Sequence, residues 1–244
     1  MTRAALVAPV RTAVGRFGGS LKDVSAVSLA TTVIKEAVAR SGIDPELIEE
    51  VAMGQSYASS EAPCIGRWAA LDAGLPISVA GIQTDRRCGT GLQALVTAAM
   101  MVQTGAANVV VAGGVESMSN IEHYTTGARW GARSGGLNLY DRLDRGRERS
   151  QPEWRFGKIS GMIETAENVA EQCGITREDS DSLAAESHRR AHAAWEAGRF
   201  DDEVVGVEVK DRKGNVTVVA RMKVSAPTAP RNPSRNSGPS PLAV

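Results

Sequence analysis

A chain of 244 residues with 42% apolar content can bury a real core, which excludes a disordered polymer and leaves room for one large domain or two modest ones. Its 28 Lys and Arg balance 28 Asp and Glu, so no net field draws it to nucleic acid or to an acidic membrane surface. Aromatics are only 4% against 25 glycines, which points to Val, Ala and Leu packed through small contacts.

The first 118 residues alternate strand-like and helix-like stretches. Ala4 to Pro9 reads as a short buried strand, followed by a glycine-rich loop from Gly15 to Gly19. Ser28 to Ser41 has helical spacing, with Leu29, Val33, Ile34 and Ala37 on one face and Gly42 as the stop. Asp44-Pro45-Glu46 starts a short helix with Pro45 at its first position. Val51 to Gly54 is a strand, Ile65 to Ala73 a helix ended by Gly74 and Pro76, and Val79 to Thr84 the next strand. A long apolar helix opens at Cys88 and runs to about Thr104, and Asn108 to Ala112 is a Val-rich strand stopped by Gly113-Gly114. Apolar strands alternating with helices imply an α/β fold with a mostly parallel sheet covered by helices. Sites in such sheets lie in the loops at strand ends.

From Ser119 the texture changes. Residues 125–157, rich in Gly, Arg and Ser, read as a long excursion rather than sheet. Two helices follow, Glu164 to Cys173 and Arg177 to Glu196, the second behind the N-cap Thr176. Val204 to Val209 and Val216 to Val219 read as a hairpin around Lys213-Gly214-Asn215. No acidic residue occurs from Arg212 to Val244, and Pro, Ser and Arg dominate after Ser225, a disordered composition.

Cys64, Cys88 and Cys173 form no C-x-x-C pair and no metal-ligand spacing, which argues against a disulfide framework or a metal site and fits a reducing cytosol. The apolar start Ala4 to Ala8 is too short for a membrane span and lacks a signal-peptide layout, so a cytoplasmic protein is expected. The informative stretch is Asp85-Arg86-Arg87-Cys88-Gly89-Thr90-Gly91-Leu92-Gln93-Ala94. Here a strand ends, the chain turns and a helix begins at or just after the cysteine. A thiol there stands in the positive field of the helix amino end, which favours the thiolate. The Cys88 backbone N–H could face a developing oxyanion. A buried, inert cysteine fits the local pattern equally well.

Cys88-Gly89-Thr90-Gly91-Leu92-Gln93-Ala94 resembles the active-site signature of the thiolase family, N-x-x-C-x-S-G-L-Q-A. Arg11-Thr12-Ala13-Val14-Gly15-Arg16-Phe17-Gly18-Gly19 is similar to the family's R-T-P-x-G-x-F-x-G opening, and Gly113 to Ser119 to its G-G-x-E-S-M-S segment. Thr165-Ala166-Glu167-Asn168-Val169-Ala170 matches T-A-E-N-V-A, followed by Gly174-Ile175-Thr176-Arg177-Glu178. The matches keep the family's order and cover residues 1 to about 210. The resemblance implies a thiolase-like N-terminal α/β domain with an inserted loop and helical domain. On it, residues 1–118 are the catalytic domain, 119–224 an incomplete loop domain that covers coenzyme A, and 225–244 a tail outside the family pattern. Cys88 is the implied acyl acceptor, exchanging acyl groups with CoA thioesters such as acetyl-CoA or a 3-ketoacyl-CoA, with no metal or redox cofactor. Met162 is an implied CoA contact. The implied assembly is a homodimer or tetramer, with Ala80 to Thr84 at the dimer interface.

Several departures bear on activity. Thr90 replaces the usual Ser, Asp85 stands where Asn is common, and the histidine of the family's His-Met-Gly-Ile is absent before Met162. The family's activating histidine, its Asn-x-x-Ala-Phe segment and its C-x-G-x-G cysteine belong to the C-terminal half, and none of these motifs occurs in the 244 residues. A non-catalytic remnant or a subunit-interaction protein is therefore the alternative. His188 and His192 share a helix without an H-E-x-x-H pattern and read as a solvated face. His123 reads as surface, Cys173 as core beside Ile163, Ala166 and Val169, and Glu116 as a structural or catalytic carboxylate. Arg142, Arg145, Arg147, Arg149 and Arg155 read as a solvated or oligomer-facing loop because acids interleave with them.

Overall fold

The computed structural model describes residues 3–158 and 161–222. They form β1 (Arg11–Thr12), α1 (Ala26–Ser41), β2 (Glu50–Gly54), α2 (Ile65–Asp72), β3 (Ala80–Thr84), α3 (Thr90–Thr104) and β4 (Val110–Gly114). Then follow β5 (His123–Tyr124), β6 (Tyr140–Asp141), α4 (Arg142–Glu148), α5 (Glu153–Phe156), α6 (Met162–Cys173), α7 (Arg177–Glu196), β7 (Val204–Val205), β8 (Val207–Lys210) and β9 (Val216–Val219). One compact unit runs to Thr165 and includes Asp202–Met222; the other is Ala166–Asp201.

In the first unit the sheet has the order β3-β2-β4, all parallel. All five residues of β2 are buried, because neighbours stand on both edges and helices on both faces. Successive side chains point to opposite faces. Val51 and Met53 enter the main core with Val27, Ala30 and Ile34 of α1 and Ile65, Ala69 and Ala70 of α2. Gly54 points the other way, where a Cβ would stand 2.6 Å from Thr90 Cγ2 at the start of α3. Thus α1 and α2 cover one face and α3 the other. Ser25 caps α1 by accepting from the Ser28 N–H, and Gly42 ends it in the left-handed conformation. Thr31 Oγ1 donates to Asp72 Oδ2 at 2.7 Å, tying α1 to α2. The α/β architecture read from the sequence, a parallel sheet covered by helices, is therefore present.

Three local expectations need correction. Ala4 to Pro9 is not a buried strand: Leu6 is 78% exposed, and only Arg11–Thr12 pairs, in parallel with β7. The segment lines a cavity of about 550 Å³ together with β4, α1 and α3, so it stands off the sheet edge instead of joining the ladder. Gly113 and Gly114 do not stop β4; they pair with Met53 and Gly54 inside it. The excursion at 125–157 carries β6, which pairs antiparallel with β5, and the short helices α4 and α5. The hairpin is real but begins at Val207, because Val204–Val205 turns to pair with β1. The tail expected at 225–244 lies outside the described residues.

In the second unit, Thr176 and Asp179 form a reciprocal capping box at the start of α7. Trp195 is buried and packs on Phe200, ring centroids 4.7 Å apart. The apolar side of α6 is uncovered among the described residues, with Val169 46% exposed, and Cys173 is exposed rather than core. A periodic apolar face shows only which side of a helix can be buried, not that a neighbour covers it.

Candidate active site

The site follows from strand register. Gly54, Thr84 and Gly114 end the three parallel strands on one line. The chain runs from β2 to β3 on one side and returns through α3 to β4 on the other, so the exits diverge around β2. Residues a few positions beyond each end, Ser56, Cys88 and Glu116, are thereby brought together from three separate parts of the sequence.

Cys88 lies in a single 3-10 turn, Arg87–Gly89, that hands over to α3. Arg87 has φ +52°, a left-handed conformation that a residue with a long side chain adopts only when its surroundings hold it. The surroundings are hydrogen bonds. The Arg87 N–H donates to Asp85 Oδ1 at 2.9 Å, and its carbonyl accepts from the Thr90 N–H and from Ser56 Oγ at 2.9 Å. Thr90, itself buried, accepts from the Arg86 N–H at 2.7 Å and lies 3.1 Å from Ser56 Oγ. Since the one proton of Ser56 goes to Arg87, the Thr90 hydroxyl is the donor in that pair. Glu116 holds the other side of Ser56: its Oε2 accepts from the backbone N–H of Ser56 at 2.9 Å and of Tyr57 at 3.3 Å. Burial pushes the Glu116 carboxyl up, the two amide bonds oppose this, and the charge of Asp85 adds to the rise.

The Cys88 side chain is exposed and lines a cavity of about 980 Å³. Met162, exposed, lines the same cavity, as do Tyr57, Met118 and Arg147. The structure therefore brings Cys88 and Met162, 74 positions apart, to one space. Other candidates go elsewhere. His123 is exposed on β5, His188 is exposed on α7, and no group of His, Cys, Asp or Glu among the described residues could hold a metal ion. Cys64 caps α2 in a left-handed conformation, and its Sγ donates to the Gly81 carbonyl. Arg147 pairs with the interleaved Asp144 at 3.3 Å and also reaches the cavity wall, Arg145 lies 4.0 Å from Glu148 and over the Tyr140 ring, and Arg142 pairs with Glu122 at 3.0 Å instead. Sequence reading missed Ser56 and Tyr57. Their only local signal is position, two and three residues beyond a buried strand.

The opening and third motifs also meet, because the Gly18 N–H donates to Ser119 Oγ across 101 positions. No helix among the described residues is long and apolar enough to cross a membrane.

The family description "Thiolase, N-terminal domain" matches residues 4–231. An acetyl-CoA acetyltransferase of Cupriavidus necator is 42% identical over 215 residues, 88% of this chain and 53% of that protein. Beta-ketothiolase BktB of the same organism is 42% identical over 219 residues, 89% of this chain and 54% of its own length. The crystal structure of the Bacillus anthracis acetyl-CoA acetyltransferase superposes with a TM-score of 0.83 at 38% identity, covering 92% of this chain and 55% of that one. The chain spans about half the length of these relatives. With five sequence matches, the fold and the family match in agreement, the chain belongs to the thiolase family and corresponds to its N-terminal domain.

Proposed function

We propose that the chain accepts an acyl group from a coenzyme A thioester on the Cys88 sulfur. The observation that carries this is an exposed thiol at the amino end of a fifteen-residue helix, on the wall of a cavity of about 980 Å³. Small-molecule sites run to about 1,000 Å³, so the space suits a ligand of this size. The Cys88 thiolate attacks the acyl carbonyl carbon; a sulfur–carbon bond forms and the carbonyl oxygen takes the negative charge. The Gly89 N–H is already given to the Arg86 carbonyl, so the Cys88 N–H is the oxyanion donor we assign. The intermediate collapses by breaking the bond to the CoA sulfur, which leaves as thiolate and takes up the proton Cys88 released. Met162 offers an apolar contact to the CoA moiety. Residues 1–118 are the catalytic part in this reading, and 119–224 the covering part.

Assembly as a homodimer or tetramer is supported by β3, which has a strand on one side only among the described residues. Trp68 and Leu71 are exposed on α2 beside it.

The test is peptide mass spectrometry of the 244-residue chain after incubation with acetyl-CoA. A gain of about 42 Da on Cys88, absent in Cys88→Ser, is the expected result. Acetylation at Cys64 or Cys173 alone would overturn the assignment. The alternative is a non-catalytic remnant or subunit-pairing protein, favoured by the half-length coverage of the relatives. It is selected if Cys88 takes no acyl group. Acetylation without thiolysis of acetoacetyl-CoA supports the half-reaction alone.

A further inference from the structure

We propose that Glu116 is a positioning residue for Cys88, acting through Ser56 on the backbone that carries the thiol. The inference rests on the acyl-acceptor reading above and goes beyond it.

Arg87 precedes Cys88 directly, and its left-handed backbone determines where the next residue points. Nothing in its own chemistry favours that conformation. Its carbonyl is held by the Ser56 hydroxyl at 2.9 Å, a contact across 31 positions. Ser56 in turn lies just beyond the end of β2, where a short loop leaves the sheet. Its place there is set by Glu116 Oε2, which takes the Ser56 and Tyr57 N–H groups from 60 and 59 positions away. Thr90 closes the figure by joining Ser56 Oγ to the Arg86 N–H. Three loops from three strand ends are thus latched around one turn, and the latch ends on the carbonyl before the nucleophile.

The carboxylate contributes as an acceptor of two amides, a role a Gln oxygen can fill. Burial of Glu116 raises the cost of its charge, yet the two amide bonds keep it aimed at the loop. An attacking sulfur must approach a carbonyl along one line, and displacements of about 1 Å can cost on the order of a hundredfold in rate. Loosening the latch therefore weakens acyl transfer while leaving ligand binding and the other cysteines in place.

The experiment measures Cys88 acetylation across acetyl-CoA concentrations in the full chain. The variants are Glu116→Ala, Glu116→Gln, Ser56→Ala and the double alanine variant, with a cooperative urea melt followed by circular dichroism as a control on folding. Glu116→Ala and Ser56→Ala are each expected to lower the maximal acetylation rate about tenfold or more. The half-saturating concentration is expected to move less than about threefold, and Glu116→Gln to recover most of the rate. The double variant is expected to be little slower than either single one, because both cut the same relay. Ser56→Ala keeps its backbone bond to Glu116, so it remains informative should Glu116→Ala fail to fold. Acetylation at wild-type rate in folded Ser56→Ala, or additive losses in the double variant, would overturn the inference. A wild-type chain that melts cooperatively but is never acetylated at Cys88 overturns the acyl-acceptor reading instead.

Discussion

Gly114 and Gly91 pass so closely that a Cβ on Gly114 would stand 3.0 Å from the Gly91 Cα. Across the next strand, a Cβ on Gly54 would meet the Thr90 backbone oxygen at 2.7 Å. The amino end of α3, and with it the turn bearing Cys88, rests on the strand ends through these two bare backbones.

Both glycines therefore set the height of α3 above the sheet. Gly54→Ala is expected to destabilise by about 1–3 kcal/mol, because backbone atoms rather than a flexible side chain must yield. Gly114→Ala is expected to cost less, its obstruction being more distant. Urea unfolding of the two variants checks the order. Equal, negligible losses would show that the helix end is not seated as described.

Thr90 is buried with its hydroxyl between the Arg86 N–H and Ser56. Thr90→Val is expected to cost about 1–3 kcal/mol, since it strands a backbone donor inside the turn. Thr90→Ser keeps both bonds and is expected to stay within about 1 kcal/mol of wild type. A Val variant as stable as the Ser variant would count against the network.

The sign of the Glu116 effect on stability follows from its raised pKa. A carboxyl whose folded value lies above its ordinary 4.5 contributes most below that pH, and the contribution is lost as pH rises through the folded value. Relative to wild type, Glu116→Gln is expected to gain stability between about pH 4 and pH 7. Urea titrations at both pH values give the comparison, and a trend in the opposite direction would show that the amide bonds outweigh burial.

In the second unit, Thr176→Ala removes the hydroxyl that accepts from the Asp179 N–H at 3.1 Å. The expected loss is about 1 kcal/mol, read as a lower melting temperature by circular dichroism. An unchanged melt would mean that α7 is not limited by its first turn.

Much of this molecule is legible locally. The apolar periodicity of α1, the Gly42 stop and the Thr176 cap are written in adjacent residues, and each element forms within a few positions of where that pattern places it. The neighbours of Cys88, a strand before it and glycines after, fit an inert cysteine as well as a nucleophile, and only the motif resemblance separates the two readings. Glu116 is noticed from the two glycines before it at a strand end, whereas Met162 is singled out only through motif resemblance, because nothing beside it in the chain names a role.

What the linear order cannot specify is which surfaces meet. Ser56 bonds a carbonyl at Arg87 and an acid at Glu116 only because three parallel strands end in register, a relationship between stretches some 30 to 60 positions apart. The same physics explains the failures. Leu6 and Cys173 carry the pattern of buried residues, but burial needs an opposing surface, and among the described residues none covers either of them. Periodicity and turn residues set most of the elements, and the motif resemblance singled out the nucleophile candidate; packing between distant segments decided the latch around it, because hydrogen bonds across a fold depend on geometry that no local pattern encodes.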